Sequence, residues 1–254
     1  MSETKILDDR VAIVTGGARN IGRAIALELA RAGAAVVVNA RGSADAAGAL
    51  VAEIEQTGGR AIVKLADVTD PAAVDGLVAA AVEAFGGIDI LVNNAAIRRE
   101  ADFADLDYTQ WREIMAILLD APYLCAHAAL PHLKRSGQGT IVNIGGLTAH
   151  TGSARRAHVV AAKAGLVGLT RALAHDLAPF GITANCVVPG MIDTARLASS
   201  TSGGTPAHHA GHVPLVGRKG RPEEVAALVA FLCGGGARYI TGQTLHANGG
   251  LFFS

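Results

Sequence analysis

Val11-Ala12-Ile13-Val14-Thr15-Gly16-Gly17-Ala18-Arg19-Asn20-Ile21-Gly22 is the stretch on which the fold turns. A β-branched run bounded by glycine reads as a buried strand, and the Ala/Leu-rich Ile21–Ala32 that follows has helical spacing. Strand, glycine-rich turn and helix in this order present backbone N–H groups and the positive end of a helix dipole to an anion, as a dinucleotide pyrophosphate requires. Gly16 permits the tight turn, and Gly22 permits close approach of helix and strand. Asn20 stands where glycine is more usual, and Asn is the side chain that best tolerates left-handed backbone. A glycine-rich turn without a ligand is the competing reading, and the strand–turn–helix order argues against it.

Outward from this stretch the same alternation continues. Further short Val/Ile/Leu runs occur at Ala35–Asn39, Arg60–Leu65, Ile88–Asn93, Thr140–Ile144, Thr183–Val188 and Gln243–Ala247, so with Val11–Thr15 there are seven predicted strands. Helical patterns fill most intervals: Asp45–Gln56, Pro71–Phe85, Asp107–Lys134, Val159–Ala178 and Pro222–Cys233. Strands apolar at nearly every position suit a parallel sheet covered on both faces, so the expected fold is α/β, doubly wound, with the sheet between two helix layers. No repeat or linker divides residues 1–254, which reads as a single domain. Residues 191–218, rich in Gly, Ser, Thr, Pro and His, follow the sixth strand and are too long for an ordinary connection; a substrate lid is expected there.

Among the 254 residues, 22 basic side chains balance 22 acidic ones and half the residues are apolar. This balance gives no electrostatic reason to expect nucleic acid or an anionic membrane as partner and leaves a small molecule. The N-terminus lacks an apolar signal core and no bilayer-spanning run is expected, which points to the cytoplasm. Cys125, Cys186 and Cys233 are dispersed in apolar stretches and read as small core residues.

The second strand ends Val38-Asn39-Ala40-Arg41, without the carboxylate that would hold a ribose 2′-hydroxyl. Arg19 and Arg41 instead suit a 2′-phosphate, so NADP(H) is expected over NAD(H). Taken singly, each arginine reads more commonly as a solvated surface side chain, and only their shared location favours the phosphate.

Over essentially its whole length the sequence resembles the short-chain dehydrogenase/reductase family. Asp67-Val68 is similar to the family's adenine-contacting pair, and Asn93-Asn94-Ala95-Ala96 to its Asn-Asn-Ala-Gly turn. Pro189-Gly190 with Ile192 and Thr194 resembles the segment that embraces the nicotinamide amide, and Ile240–Thr244 with Asn248-Gly249-Gly250 resembles the closing strand. The resemblance implies a Rossmann-type fold, a homotetramer, and cofactor contacts from Gly16, Arg19, Asn20, Ile21, Gly22, Asn39, Arg41, Asp67, Val68, Asn93, Ala95, Lys163, Pro189, Gly190, Ile192 and Thr194.

The family's catalytic pattern is Asn, Ser, and Tyr four residues before Lys. Here only Lys163 remains: Val159 holds the tyrosine position, Gly146 in Ile144-Gly145-Gly146 the serine position, and Leu118 in Ile117-Leu118-Leu119 the asparagine position. The enoyl-reductase spacing of tyrosine to lysine falls on Arg156. Protonation of an alkoxide, support of a carbonyl oxygen and proton relay are therefore without their usual groups. Thr148, His150 and His158 lie near in sequence. His158 is about 100° around a helix from Val159 and is expected to point away, whereas His150 sits on a loop at the sheet's carboxyl edge and is carried forward with Lys163 as a catalytic candidate.

Arg98-Arg99 and Arg155-Arg156 are two basic pairs that could converge on a substrate mouth and suit an anionic substrate, and solvated surface or contacts between subunits explain them at least as well. His208, His209 and His212 lack a completing ligand set, and no metal site is expected. Three readings follow: NADPH-dependent hydride transfer to a polarised C=C or iminium without a tyrosine acid; a non-catalytic NADP(H)-binding protein; and, ranked last, a non-redox reaction in the same crevice.

Overall fold

The computed structural model describes residues 5–194 and 213–254. Seven strands form one parallel sheet in the order β3-β2-β1-β4-β5-β6-β7. They are β1 (Val11–Val14), β2 (Ala35–Ala40), β3 (Arg60–Leu65), β4 (Ile90–Asn93), β5 (Thr140–Ile144), β6 (Thr183–Pro189) and β7 (Thr244–Ala247). Strand side chains alternate between faces, so successive residues feed opposite cores. Val14, Val36, Val38, Val92 and Val142 meet α1 (Asn20–Arg31), α2 (Ala44–Gln56) and α8 (Pro222–Cys233). Ile13, Val37, Leu91 and Ile141 meet α3 (Pro71–Phe85), α5 (Ala121–Ser136) and α7 (Ala157–Leu177). Each buried Val, Leu or Ile contributes about 1.5–3 kcal/mol relative to an exposed one.

The expected helix over Asp107–Lys134 is a continuous rod with an irregular centre. Its first part, α4 (Tyr108–Met115), is opened by a capping box in which Asp107 accepts from the Gln110 N–H at 2.8 Å. A π-helical turn at Ala116–Asp120 then leads into α5, and it carries Leu118. A short helix, α6 (Thr148–Thr151), follows β5.

One expectation is corrected. Among the described residues, Tyr108–Ser136 and Ala157–Phe180 are long and apolar enough to cross a bilayer, with mean hydropathies of 1.5 and 1.2. Both supply core residues, Cys125, Ala129 and Leu133 from one and Leu166, Ala174 and Leu177 from the other, and covering a two-sided sheet requires such apolar helices. The centre of the expected lid, residues 195–212, lies outside the described residues, and with it His208, His209 and His212. Of its flanks, Ile192 bridges to Gly220, and the Val216 N–H donates to the Gly249 carbonyl.

From β1 the sheet grows first toward β3, and the chain then returns to place β4 on the other side of β1. Ligands of such folds bind where the strand order reverses, at the carboxyl ends of the strands.

Candidate active site

Across those carboxyl ends runs a cavity of about 1170 Å³. At one end the loop after β1 is held by a polar lattice from four strands. The Thr15 hydroxyl accepts from the N–H groups of Asn94 and Ala95, both at 3.0 Å. The Asn94 side-chain amide donates to the carbonyls of Thr15 and Gly16, again at 3.0 Å. Asn39 accepts from the Gly16 N–H at 3.3 Å and donates to the carbonyls of Lys64 and Ala66.

Gly16 has φ +60° and Asn20 φ +51°, both in the left-handed region. A Cβ on Gly22 would stand 2.2 Å from the Gly16 carbonyl oxygen and 2.5 Å from the Asn94 amide nitrogen, so the close packing excludes any side chain. What results is a cradle of backbone at a helix N-terminus, the arrangement that fits a dinucleotide pyrophosphate.

Gly16, Arg19, Asn20, Ile21 and Gly22 line this end of the cavity, together with Asn39, Arg41, Asp67 and Val68 from the ends of β2 and β3. Arg41 lies 3.7 Å from Asp67 in an exposed ion pair. The Asp67 carboxyl is held below its usual range chiefly by the Thr69 N–H and hydroxyl, with Arg41 adding to this. Further along, Ala95, Pro189, Gly190, Ile192, Thr194 and Lys163 line the wall.

Two expected site residues lie elsewhere. Asn93 is buried within the sheet, where its amide donates to the Asn143 side chain at 2.8 Å; it is the last residue of β4, and its neighbour Asn94, one step past the strand, is the one that faces the loop. His150 does not line the cavity. Its ring packs against His246 on β7, with centroids 4.7 Å apart, and against Phe252 at 5.6 Å. Burial, followed by the Arg171 charge, keeps its pKa below the usual imidazole value. His158 is fully buried, pointing away from the cavity as its helical angle implied.

At the other end, Leu118 from the π turn, Gly146 after β5, and Val159 and Lys163 from α7 converge. Leu118 and Val159 pack together with Ile114 and Ala162 in one apolar cluster. Lys163 is only 8% exposed, and its Nζ donates to the Ile144 carbonyl at 2.5 Å. Burial pushes its pKa down to about 8; the Cys186 thiol opposes the shift and Arg156 adds to it.

The two glycines of the β5 turn differ. A Cβ on Gly145 would meet the Cys186 sulfur at 2.8 Å, whereas one on Gly146 would meet only the Lys163 Cγ, at 3.8 Å. Space for a side chain therefore exists at Gly146.

Of the two basic pairs, Arg98, Arg99 and Arg156 line the cavity, while Arg155 turns out to Asp102 at 3.4 Å. Arg99 is bonded to Glu113 at 3.2 Å. Leu251, from the C-terminal tail, also lines the cavity and was not signalled by any motif. Among the described residues no group of three or more His, Cys, Asp or Glu side chains is placed to hold a metal.

A family model described as enoyl-(acyl carrier protein) reductase matches residues 16–252. The 3-oxoacyl-(acyl-carrier-protein) reductase FabG of Staphylococcus aureus is 38% identical over 241 residues, covering 95% of this chain and 97% of that protein. A dehydrogenase/reductase from Sinorhizobium meliloti 1021 superposes with a TM-score of 0.91 at 38% identity, covering 98% of both chains. A short-chain dehydrogenase from Burkholderia cenocepacia J2315, solved in complex with NADP, gives 0.88 at 40% identity, covering 97% of this chain and 99% of the other. With the parallel sheet, the glycine cradle and these matches in agreement, the chain belongs to the short-chain dehydrogenase/reductase family.

Proposed function

We propose that the protein is an NADP(H)-dependent oxidoreductase that passes hydride to a polarised C=C or an iminium without a tyrosine acid. The observation that carries this reading is a single cavity with a backbone cradle at one end and, at the other, Leu118, Gly146 and Val159 grouped around Lys163. For the cofactor, Arg19 at the start of α1 and Arg41 just past β2 both border the cavity, and the Burkholderia relative was solved with NADP.

When bound, the nicotinamide supplies the hydride. The chain's own part is to orient, to exclude water and to place one cation. Ile117, Leu118 and Val159 form an apolar wall that shields the reacting atoms. Lys163 keeps an ammonium at the inner end of that wall, tethered by the Ile144 carbonyl. A pKa of about 8 leaves Nζ protonated at neutral pH and able to give up its proton. Conjugate reduction moves charge onto a remote carbonyl oxygen, which a nearby ammonium stabilises, and reduction of an iminium needs no acid at all. Simple ketones need a proton at the nascent alkoxide, and Val159 offers none.

A second reading, a non-catalytic NADP(H)-binding protein, draws on the same three replacements. Titration with NADPH and NADH, followed by nicotinamide fluorescence and calorimetry, tests the cofactor assignment. Tighter binding of NADPH is the expected result, and binding of neither would overturn both readings. Turnover across enones, iminium compounds and ketones then separates them, since silence with every substrate favours the second. The small molecule aside, the partners inferred are further copies of this chain in a homotetramer, which sedimentation velocity checks.

A further inference from the structure

Lys163 and Val159 stand four residues, about one turn, apart on α7, and Arg156 is the N-cap residue just before that helix. All three line the cavity. Cation, hydrocarbon and cation thus follow one another from the inner end outward. Ile97, Ile117 and Leu118 line the cavity too and share the apolar cluster of Val159, so the middle of this chamber is apolar.

Arg156 is not an ordinary surface arginine. Its Nε is sealed from solvent, and loss of water is the largest influence on the guanidinium, ahead of the opposing effects of Glu100 and Arg98. Arg98, Arg99 and Glu100 line the same end of the cavity. With Glu113 bonded to Arg99, three guanidiniums face two carboxylates, and one positive charge is in excess before Lys163 is counted. A partly desolvated guanidinium beside an apolar chamber binds a carboxylate more strongly than one in water, because its charge is less screened and its fork offers two parallel hydrogen bonds.

We propose that the outer end of this cavity is an anion site, in which Arg156, with Arg98 beside it, holds the carboxylate of an otherwise apolar substrate. The inference rests on reading the chamber as the substrate chamber. It specifies a molecule whose anionic group lies several bonds from the reacting atoms, held there so that remote binding fixes the reacting end against Lys163. Glu100 is the competing anion, and substrate exchanges with it for Arg156.

Calorimetric titration of the protein with hexanoate and its neutral counterpart hexanamide, in the presence and absence of saturating NADPH, tests this without requiring turnover. The wild type should bind hexanoate at least ~10-fold more tightly than hexanamide, on the basis of charge-assisted hydrogen bonding. Arg156→Gln should abolish that preference while NADPH affinity is unchanged, and Glu100→Gln should strengthen hexanoate binding by removing its competitor. Equal binding of the two probes by the wild type, or a preference retained in Arg156→Gln, would overturn the proposal. Should Arg156→Gln fail to fold, an unchanged or weakened hexanoate affinity in Glu100→Gln overturns it as well. Failure of NADPH to bind is a separate outcome: it removes the cofactor reading and leaves the hexanoate comparison without NADPH to decide this one.

Discussion

At the cofactor end of the cavity the work is done by backbone: Gly16 and Asn20 adopt left-handed conformations, Gly22 leaves no room for a side chain, and Thr15, Asn39 and Asn94 hold the loop by hydrogen bonds. At the reaction end it would fall to side chains, and there Leu118, Gly146 and Val159 offer none that can carry a proton. Backbone cradles depend on many mutually supporting contacts and fail together. A proton donor is one atom on one residue, and it is removed by a single substitution that packs well. The two ends can therefore diverge independently, one remaining a binding site while the other changes its chemistry.

The largest effect should come from making the two ends alike. Restoring Leu118→Asn, Gly146→Ser and Val159→Tyr together should raise ketone reduction by about 10²–10⁴-fold, the usual range for a positioned acid. Gly146 has the space, whereas Leu118 is 1% exposed in an apolar cluster and its replacement will cost stability. Steady-state assays on matched ketones and enones measure it, and an unchanged ketone rate would mean that the chamber itself has diverged.

Damage at the opposite end should be next in size. Gly22→Ala drives a methyl into the Gly16 carbonyl, and a displacement of this kind in a positioned site costs about 10² in effectiveness. NADPH titration of this variant reads the loss directly; wild-type affinity would show that the loop yields more easily than its packing implies.

A smaller effect concerns Lys163. Its folded pKa of about 8 lies below the ordinary 10.5, so between those values the unfolded chain holds a proton that the folded chain has released. Stability should rise with pH across that window, and the cost of burying the ammonium is felt in full below pH 8. Lys163→Met should accordingly stabilise the protein by about 1–3 kcal/mol at pH 7 and flatten that rise. Denaturant unfolding at pH 7 and 9.5 checks both, and destabilisation at pH 7 would show that the bond to Ile144 outweighs desolvation.

The smallest effect lies behind the site. His150 and His246 both have pKa values lowered by burial first, then by Arg171 and by His150 respectively. As pH falls below about 6.5, the unfolded chain takes up protons that the folded pair resists, and stability declines. His246→Phe should reduce that slope in thermal unfolding between pH 7 and 5, and an unaltered slope would assign it to other groups.

Much of this was legible in the sequence, for a physical reason in each case. Periodicity and glycine spacing report on backbone, so the seven strands, the parallel sheet and the phosphate loop could be read directly. Leu118, Gly146 and Val159 could be singled out because each stands at a fixed interval from a recognisable neighbour, and all three line the cavity. Register was harder: Asn93 and Asn94 are adjacent, and only the end of β4 determines which of them enters the sheet. His150 was misplaced because its loop folds into a helical turn, α6, that carries the ring toward β7 and Phe252. Leu251 could not be found from local pattern, since the tail reaches the cavity through Asn248, whose amide donates to the Phe252 carbonyl at 2.9 Å.

The most direct test of the central claim is single-turnover reaction of the protein loaded with NADPH deuterated at the transferring C4 position, offered an enone and its saturated ketone counterpart. Deuterium delivered to the enone β-carbon, at a rate well above that for the ketone, is the predicted result. Transfer to the ketone at an equal or greater rate, or no transfer to either, would contradict the account.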